Sequence, residues 1–201
     1  MVVICFGVFI LLSARAVTAG FAESPLSETD SIWLMAIELA SACGAIAVLY
    51  NRNYAVLTLL PRPSLRGSAI GIALFAAAWL AAALIVAPFA ALQPEPPAEA
   101  ADPRLSLALI VMTAMVNGTY EEVFLLGFLL RGLRGYGLSI AVGVALLVRV
   151  LYHLYQGPVG ALWVLGFGAA FSVYYLRSEQ LWPPAFAHIL WDIIPLMGGQ
   201  G

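Results

Sequence analysis

The chain has 201 residues, 63% of them hydrophobic and only 10% charged, with a net charge of -2 and a mean hydropathy of +0.96. That composition excludes a water-soluble globular domain and leaves a helical integral membrane protein as the class that fits. All nine cations are arginine, and the slight acidic excess offers no basic surface for a nucleic acid. Residues 2–20 form the first apolar run. Its AVTAG end has the look of a signal-peptidase site, but no positive n-region precedes it, so the run is expected to persist as a helix. An acidic link with Glu23, Glu28 and Asp30 leads to a second span, 31–50, which carries one charge at Glu38. That carboxylate is expected to pair with an arginine such as Arg15 or Arg149. Residues 51–66 are a polar link with Arg52, Arg62 and Arg66, punctuated by Pro61 and Pro63, and 67–92 is an alanine-rich third span. The linker 93–103 is acidic and too rich in proline to be helical throughout.

A fourth helix is expected over 104–131, turned back by RGLRGYG. The fifth, 138–155, is broken at Gln156-Gly157-Pro158, and a sixth runs to 175, where Gly160, Gly166, Gly168 and Ala170 suit close helix contact. The seventh starts at Trp182-Pro183-Pro184, with proline tolerated in a first turn and tryptophan suited to the membrane interface. Cys5 and Cys43 sit in apolar spans as small hydrophobes rather than as disulfide or metal partners. The expected fold is therefore all-α: a polytopic transmembrane helical bundle of about seven spans. It forms one integral membrane domain over 1–201, with N-terminal helices over 1–92 and a polar core over about 104–198. Arginine-bearing and acidic links alternate, which places the N-terminus on the cytoplasmic side. One tension accompanies these limits. Glu121 lies ten residues from the arginine end of its helix, roughly 15 Å at 1.5 Å per residue, whereas His153 lies near the opposite end of its own. The limits are off by a turn, or the helices are staggered or tilted.

The stretch 112–131 sets two adjacent carboxylates, Glu121 and Glu122, inside an apolar helix. A charge at that depth costs roughly 2.5 to 3.5 kcal/mol on the insertion scale, so other groups must meet it. Two further apolar spans carry strong polar chemistry: Arg149 with His153, and His188 with Asp192. Residues four apart share a helix face, so Thr113, Asn117 and Glu121 form one polar stripe while Glu122 points about 100° away. His188 and Asp192 likewise share a face, which lets the carboxylate orient the imidazole or join it in gripping a ligand. A buried glutamate pair, two histidines and an aspartate drawn from three helices each carry a desolvation cost, which marks them as a functional set. Acid and histidine chains make proton or ion relays, and helix packing alone is the other reading.

These residues resemble a known family. Glu121-Glu122, the segment Arg149, Tyr152, His153 ending at Gly157, and His188-Ile189-Leu190-Trp191-Asp192 look like the three ordered motifs of the CAAX protease and bacteriocin-processing (CPBP, or Abi) family, which includes the type II CAAX prenyl endopeptidases. The resemblance covers roughly 117–192. It implies an intramembrane endopeptidase in which Glu121 is the general base, His153 its partner in activating water, and His188 with Asp192 the pair that stabilises the oxyanion. In a metalloprotease version Glu121, His153, His188 and Asp192 would instead hold zinc, leaving a position for water. It also implies a bacterial inner (cytoplasmic) membrane location, contact with membrane lipid, a membrane-associated peptide or protein substrate, and association with other membrane proteins. The competing reading is a catalytically silent scaffold or partner protein on the same bundle.

Two positions depart from the family pattern. Leu126 stands where the EExxxR motif has arginine, and Arg149 stands where the FxxxH motif has phenylalanine. Together they suggest compensation. Glu122 has lost a cation on its own helix, and Arg149 supplies one from the next, so an ion pair between Glu122 and Arg149 is expected, with Asn117 and Arg149 supporting the catalytic groups.

Overall fold

The computed structural model describes residues 1–21, 27–92 and 105–198, and every regular element among them is helical. The elements are α1 (Val2–Thr18), α2 (Glu28–Asn51), α3 (Leu65–Val86), α4 (Leu107–Tyr136), α5 (Leu138–His153), α6 (Gly157–Ser178) and α7 (Trp182–Gly198). Serines start three of them. Ser27 closes a capping box with Asp30, Ser64 accepts from the Gly67 amide at 3.0 Å, and Ser106 accepts from the Leu109 amide at 3.4 Å. Each satisfies an amide that the first helical turn leaves unpaired.

Among the described residues, four helical runs are long and apolar enough to cross a membrane: Glu28–Asn51, Leu65–Phe89, Leu107–Tyr136 and Leu138–Ser178. Val2–Thr18 is apolar but shorter. The 41-residue run Leu138–Ser178 is not one rod, because Gly157 takes φ 74° and the two halves, α5 and α6, pack on each other. Large apolar side chains such as Leu65 and Leu84 face outward, as expected of helices solvated by lipid. The acidic link at Glu23 and the linker 93–103 lie outside the described residues.

The fourth helix does not stop at 131. Arg131 to Tyr136 continue it, and the chain reverses at Gly137, whose φ of 110° favours a residue without a Cβ. This removes the tension over depth. Glu121 and His153 each lie sixteen residues from Gly137, one before it and one after, so a simple antiparallel hairpin brings them to the same level. Within α4 the segment Val123–Leu130, directly after the two glutamates, widens into a π-helix. Such widening re-aims the side chains around it and recurs at functional sites.

Packing follows the small residues. α3 packs against α6 and α7, α4 against α2 and α7, and α5 against α1 and α6. At Gly166 a Cβ would lie 2.4 Å from the Ala82 Cα, so the α3 and α6 backbones are in contact there. Gly160, expected at a helix contact, instead faces the side chain of Gln156. α1 is fastened to α4 by the Tyr120 hydroxyl, which donates to the Cys5 carbonyl, and to the end of α5 by Ser13 Oγ, which accepts from the Tyr155 amide at 2.8 Å. Cys5 is buried, Cys43 is exposed, and both are free. At the arginine-bearing end Arg134 pairs with Glu179 at 2.5 Å, and the hydrogen bond and charge of that guanidinium hold the Glu179 carboxyl below its ordinary range. Trp182 Nε1 donates to Ser68 Oγ at 3.0 Å, tying the starts of α3 and α7 together at that end.

Candidate active site

The polar residues singled out in the sequence come from α4, α5 and α7, and the bundle brings them together. α4 and α7 touch at Gly118, where a Cβ would lie 2.9 Å from the Ile189 amide nitrogen and 3.3 Å from the His188 carbonyl carbon. A side chain at this position would push the helices apart. One turn further on, Glu121 and Glu122 therefore sit directly against His188.

Glu122 is fully buried. Arg149 Nη2 donates to its Oε1 at 2.8 Å and to its Oε2 at 2.9 Å, and His188 Nδ1 lies 2.7 Å from Oε1. The ion pair expected from the two departures is thus formed, and it ties α4 to α5. Arg149 reaches it along a path cleared by a glycine: a Cβ on Gly168 would stand 2.8 Å from Arg149 Cδ. Its guanidinium carbon lies 4.9 Å from the centre of the Phe167 ring, a distance at which the ring face attracts the cation. Leu126, at the position of the missing arginine, is buried in an apolar cluster with Leu130, Phe167 and Phe171.

Glu121 is placed differently. Tyr152 Oη donates to Glu121 Oε2 at 2.5 Å, and Arg149 Nη1 lies 3.6 Å from the same oxygen. His153 Nε2 is 3.9 Å from Oε1, and His188 Nε2 is 3.8 Å from Oε2. His153 Nδ1 lies 2.9 Å from the carbonyl oxygen of Arg149. Because a carbonyl only accepts, Nδ1 carries the proton and Nε2 presents a lone pair toward Glu121. Asp192 Oδ2 accepts from Asn117 Nδ2 at 2.9 Å, while its Oδ1 lies 3.7 Å from His188 Nε2.

Thr113, Asn117, Glu121, His153 and Asp192 open onto a cavity of about 780 Å³ whose walls are otherwise largely aromatic and aliphatic. The stripe anticipated on α4 faces this space, and Glu122, on another face of the helix, does not. Glu38 also lines it. The expectation that Glu38 pairs with Arg15 or Arg149 is not met: Oε2 is buried without a hydrogen-bond partner among the described residues, because Arg149 is engaged with the two α4 glutamates. Tyr152 is the contact to which sequence reasoning gave no role. Its spacing of three from Arg149 carried the signal, since it puts both on one face of α5.

Carboxylate oxygens of Glu121 and Glu122 and a ring nitrogen of His188 lie within 4.8 Å of one another, and Glu121, His153, His188 and Asp192 are donor types that zinc accepts. The surroundings argue against a dication. Glu122 is already committed to Arg149 and His188, and the permanent charge of Arg149 stands 3.6 Å from Glu121. The residues present do not fit a bound metal, and no chemical step is routed through one.

Residues 103–194 match the family described as type II CAAX prenyl endopeptidase, Rce1-like. No curated protein and no solved structure matches the chain.

Proposed function

We propose that this chain, a member of the CAAX protease (CPBP) family by its residues 103–194, is an intramembrane endopeptidase that hydrolyses a peptide bond with a water activated by Glu121 and His153. The observation that carries the proposal is the convergence of Glu121 and His153, both lining the cavity, with His188, which lies against Glu121. Glu121 Oε1 faces His153 Nε2 at 3.9 Å and Glu121 Oε2 faces His188 Nε2 at 3.8 Å, separations that one water or one reacting oxygen bridges. Seven membrane passes, with the N-terminus cytoplasmic, belong to the same reading. The break at Gly157 turns one 41-residue run into two packed helices, and Arg134, in the last turn of α4, pairs with Glu179 just after α6.

The chemistry then runs as follows. A water between Glu121 and His153 donates one hydrogen to each, which leaves its lone pair directed at the substrate carbonyl. Glu121 takes the proton as the oxygen attacks, and the carbonyl becomes an oxyanion. His188, acting as an imidazolium whose Nδ1–H is donated to Glu122, offers Nε2–H to that oxyanion. Asp192, held by Asn117, lies 3.7 Å from the same Nε2 and steadies that edge of the ring. Protonated Glu121 then returns its proton to the leaving amine. Arg149 and Tyr152 are positioning residues: they hold the two glutamates at fixed orientations without touching substrate. The substrate is membrane-associated, and the largely apolar cavity suits a segment that enters from lipid.

The test is cleavage of internally quenched membrane-associated peptides by the full chain in proteoliposomes. Wild type is expected to turn over, and Glu121→Gln, which preserves shape and hydrogen bonding, to lose roughly 10²- to 10⁴-fold in rate. Equal rates would remove Glu121 from the mechanism. Absence of cleavage by the wild type across the peptide set would favour the silent-scaffold alternative.

A further inference from the structure

Glu38 is a carboxylate for which hydrolysis has no use. It comes from α2, outside the family-matching stretch 103–194, and α2 packs against α4 so that Leu34 and Glu38, one turn apart, both line the cavity that holds Glu121. The residue is 6% exposed, and its Oε2 is buried without a hydrogen-bond partner among the described residues. Thr113 Oγ1, on the same cavity, is buried and unpartnered as well. A buried carboxylate left unpaired costs several kcal/mol, so its retention calls for something that meets it. The charges around it say what kind of group that is. Three carboxylates, Glu38, Glu121 and Asp192, line the cavity, and among the described residues no arginine does: Arg149 is engaged with Glu122 and stands beside Glu121. Arg149 is thus already used, and Glu38 faces a cavity with largely apolar walls, where a charge is poorly screened and a cation entering it would be strongly attracted.

We infer that Glu38, with Thr113 on the same cavity, forms a subsite for a positively charged side chain of the peptide substrate, so that cleavage depends on a lysine or arginine at one position near the scissile bond. This inference rests on the endopeptidase reading. The apolar walls take the rest of the segment, and the pairing of one buried carboxylate with one substrate cation fixes its register relative to Glu121. Selectivity arises from both sides: a neutral residue leaves Glu38 unpaired, and an acidic one adds repulsion.

The experiment uses the full chain in proteoliposomes and a set of quenched peptides that differ only in having lysine, norleucine or glutamate at each position around the cleaved bond. Wild type is expected to prefer lysine at a single position, and Glu38→Gln to lower kcat/KM for that peptide about tenfold or more, the loss of a hydrogen bond to a charged group, while the norleucine peptide changes less than about threefold. Glu38→Arg is expected to shift the preference at that position toward glutamate. Turnover of the norleucine peptide reports that each variant is folded. A lysine-to-norleucine ratio unchanged by Glu38→Gln, or no lysine preference at any position, would overturn the subsite. Binding of the same peptides to Glu121→Gln, read by fluorescence anisotropy, separates the two readings. Lysine-dependent binding abolished by an added Glu38→Gln, without turnover by the wild type, would retain the subsite and overturn the protease. Turnover with lysine-independent binding would do the reverse.

Discussion

Arg149 Nη2 donates to both carboxylate oxygens of Glu122, at 2.8 and 2.9 Å, with both side chains almost completely shut off from solvent and lipid. The pair joins α4 to α5 one turn from the Glu121 and His153 pair, and its geometry sets theirs. Loss of one partner strands the other as a buried charge, so Arg149→Ala is expected to destabilise the bundle by ~3 to 5 kcal/mol. Combined with Glu122→Gln it should cost less than the sum of the single changes, because the neutral amide no longer needs the cation. Thermal and denaturant unfolding in detergent provides the measurement, and strictly additive values would show that the two residues do not interact.

Gly168 is the clearance for Arg149. An added methyl at 2.8 Å from Arg149 Cδ and 3.0 Å from a Leu146 methyl must displace one of them. Gly168→Ala is therefore expected to cost ~1 to 3 kcal/mol of stability, the usual penalty of overpacking, and to lower kcat with the protein still folded. The kinetic half of this expectation distinguishes a disturbed Arg149 from mere crowding. If kcat is unchanged while stability falls, Arg149 has moved without consequence for the glutamates.

Tyr152 holds Glu121 through a hydrogen bond of 2.5 Å and lies at stacking distance from Phe6. Tyr152→Phe keeps the ring and removes only the donor. We expect roughly a tenfold loss in kcat, the scale of a hydrogen bond to a charged group, with little change in KM or in unfolding temperature. A rise in KM alone would assign Tyr152 to substrate binding instead.

Metal dependence has its own outcome. With Arg149 beside Glu121 and Glu122 already doubly engaged, activity is expected to survive strong chelators, and purified protein to carry less than stoichiometric zinc by elemental analysis. Activity lost to a chelator and restored by added zinc would overturn the metal-independent mechanism.

The helical membrane class follows from composition alone, because no arrangement of 63% hydrophobic residues with so few charges is stable in water. The chemistry-bearing residues were legible for a related reason: each of Glu121, Glu122, Arg149, His153, His188 and Asp192 is costly at membrane depth, so its occurrence there already marks it out. The partnership of Glu122 with Arg149 could be read from one cation lost on a helix and one gained on the next. Where each group points could not. Arg131 and Arg134 read as a polar turn that ends α4 at 131, while the chain reverses only where Gly137 allows φ 110°. Glu38 was assigned an arginine partner because charge balance along a sequence carries no directions. Tertiary packing decides otherwise: Gly168 admits Arg149 toward α4, Gly118 brings α7 against the glutamates, and α2 presents Glu38 to a cavity that no arginine among the described residues lines. Local spacing fixes which residues share a helix face, but only the contacts between helices fix which faces meet.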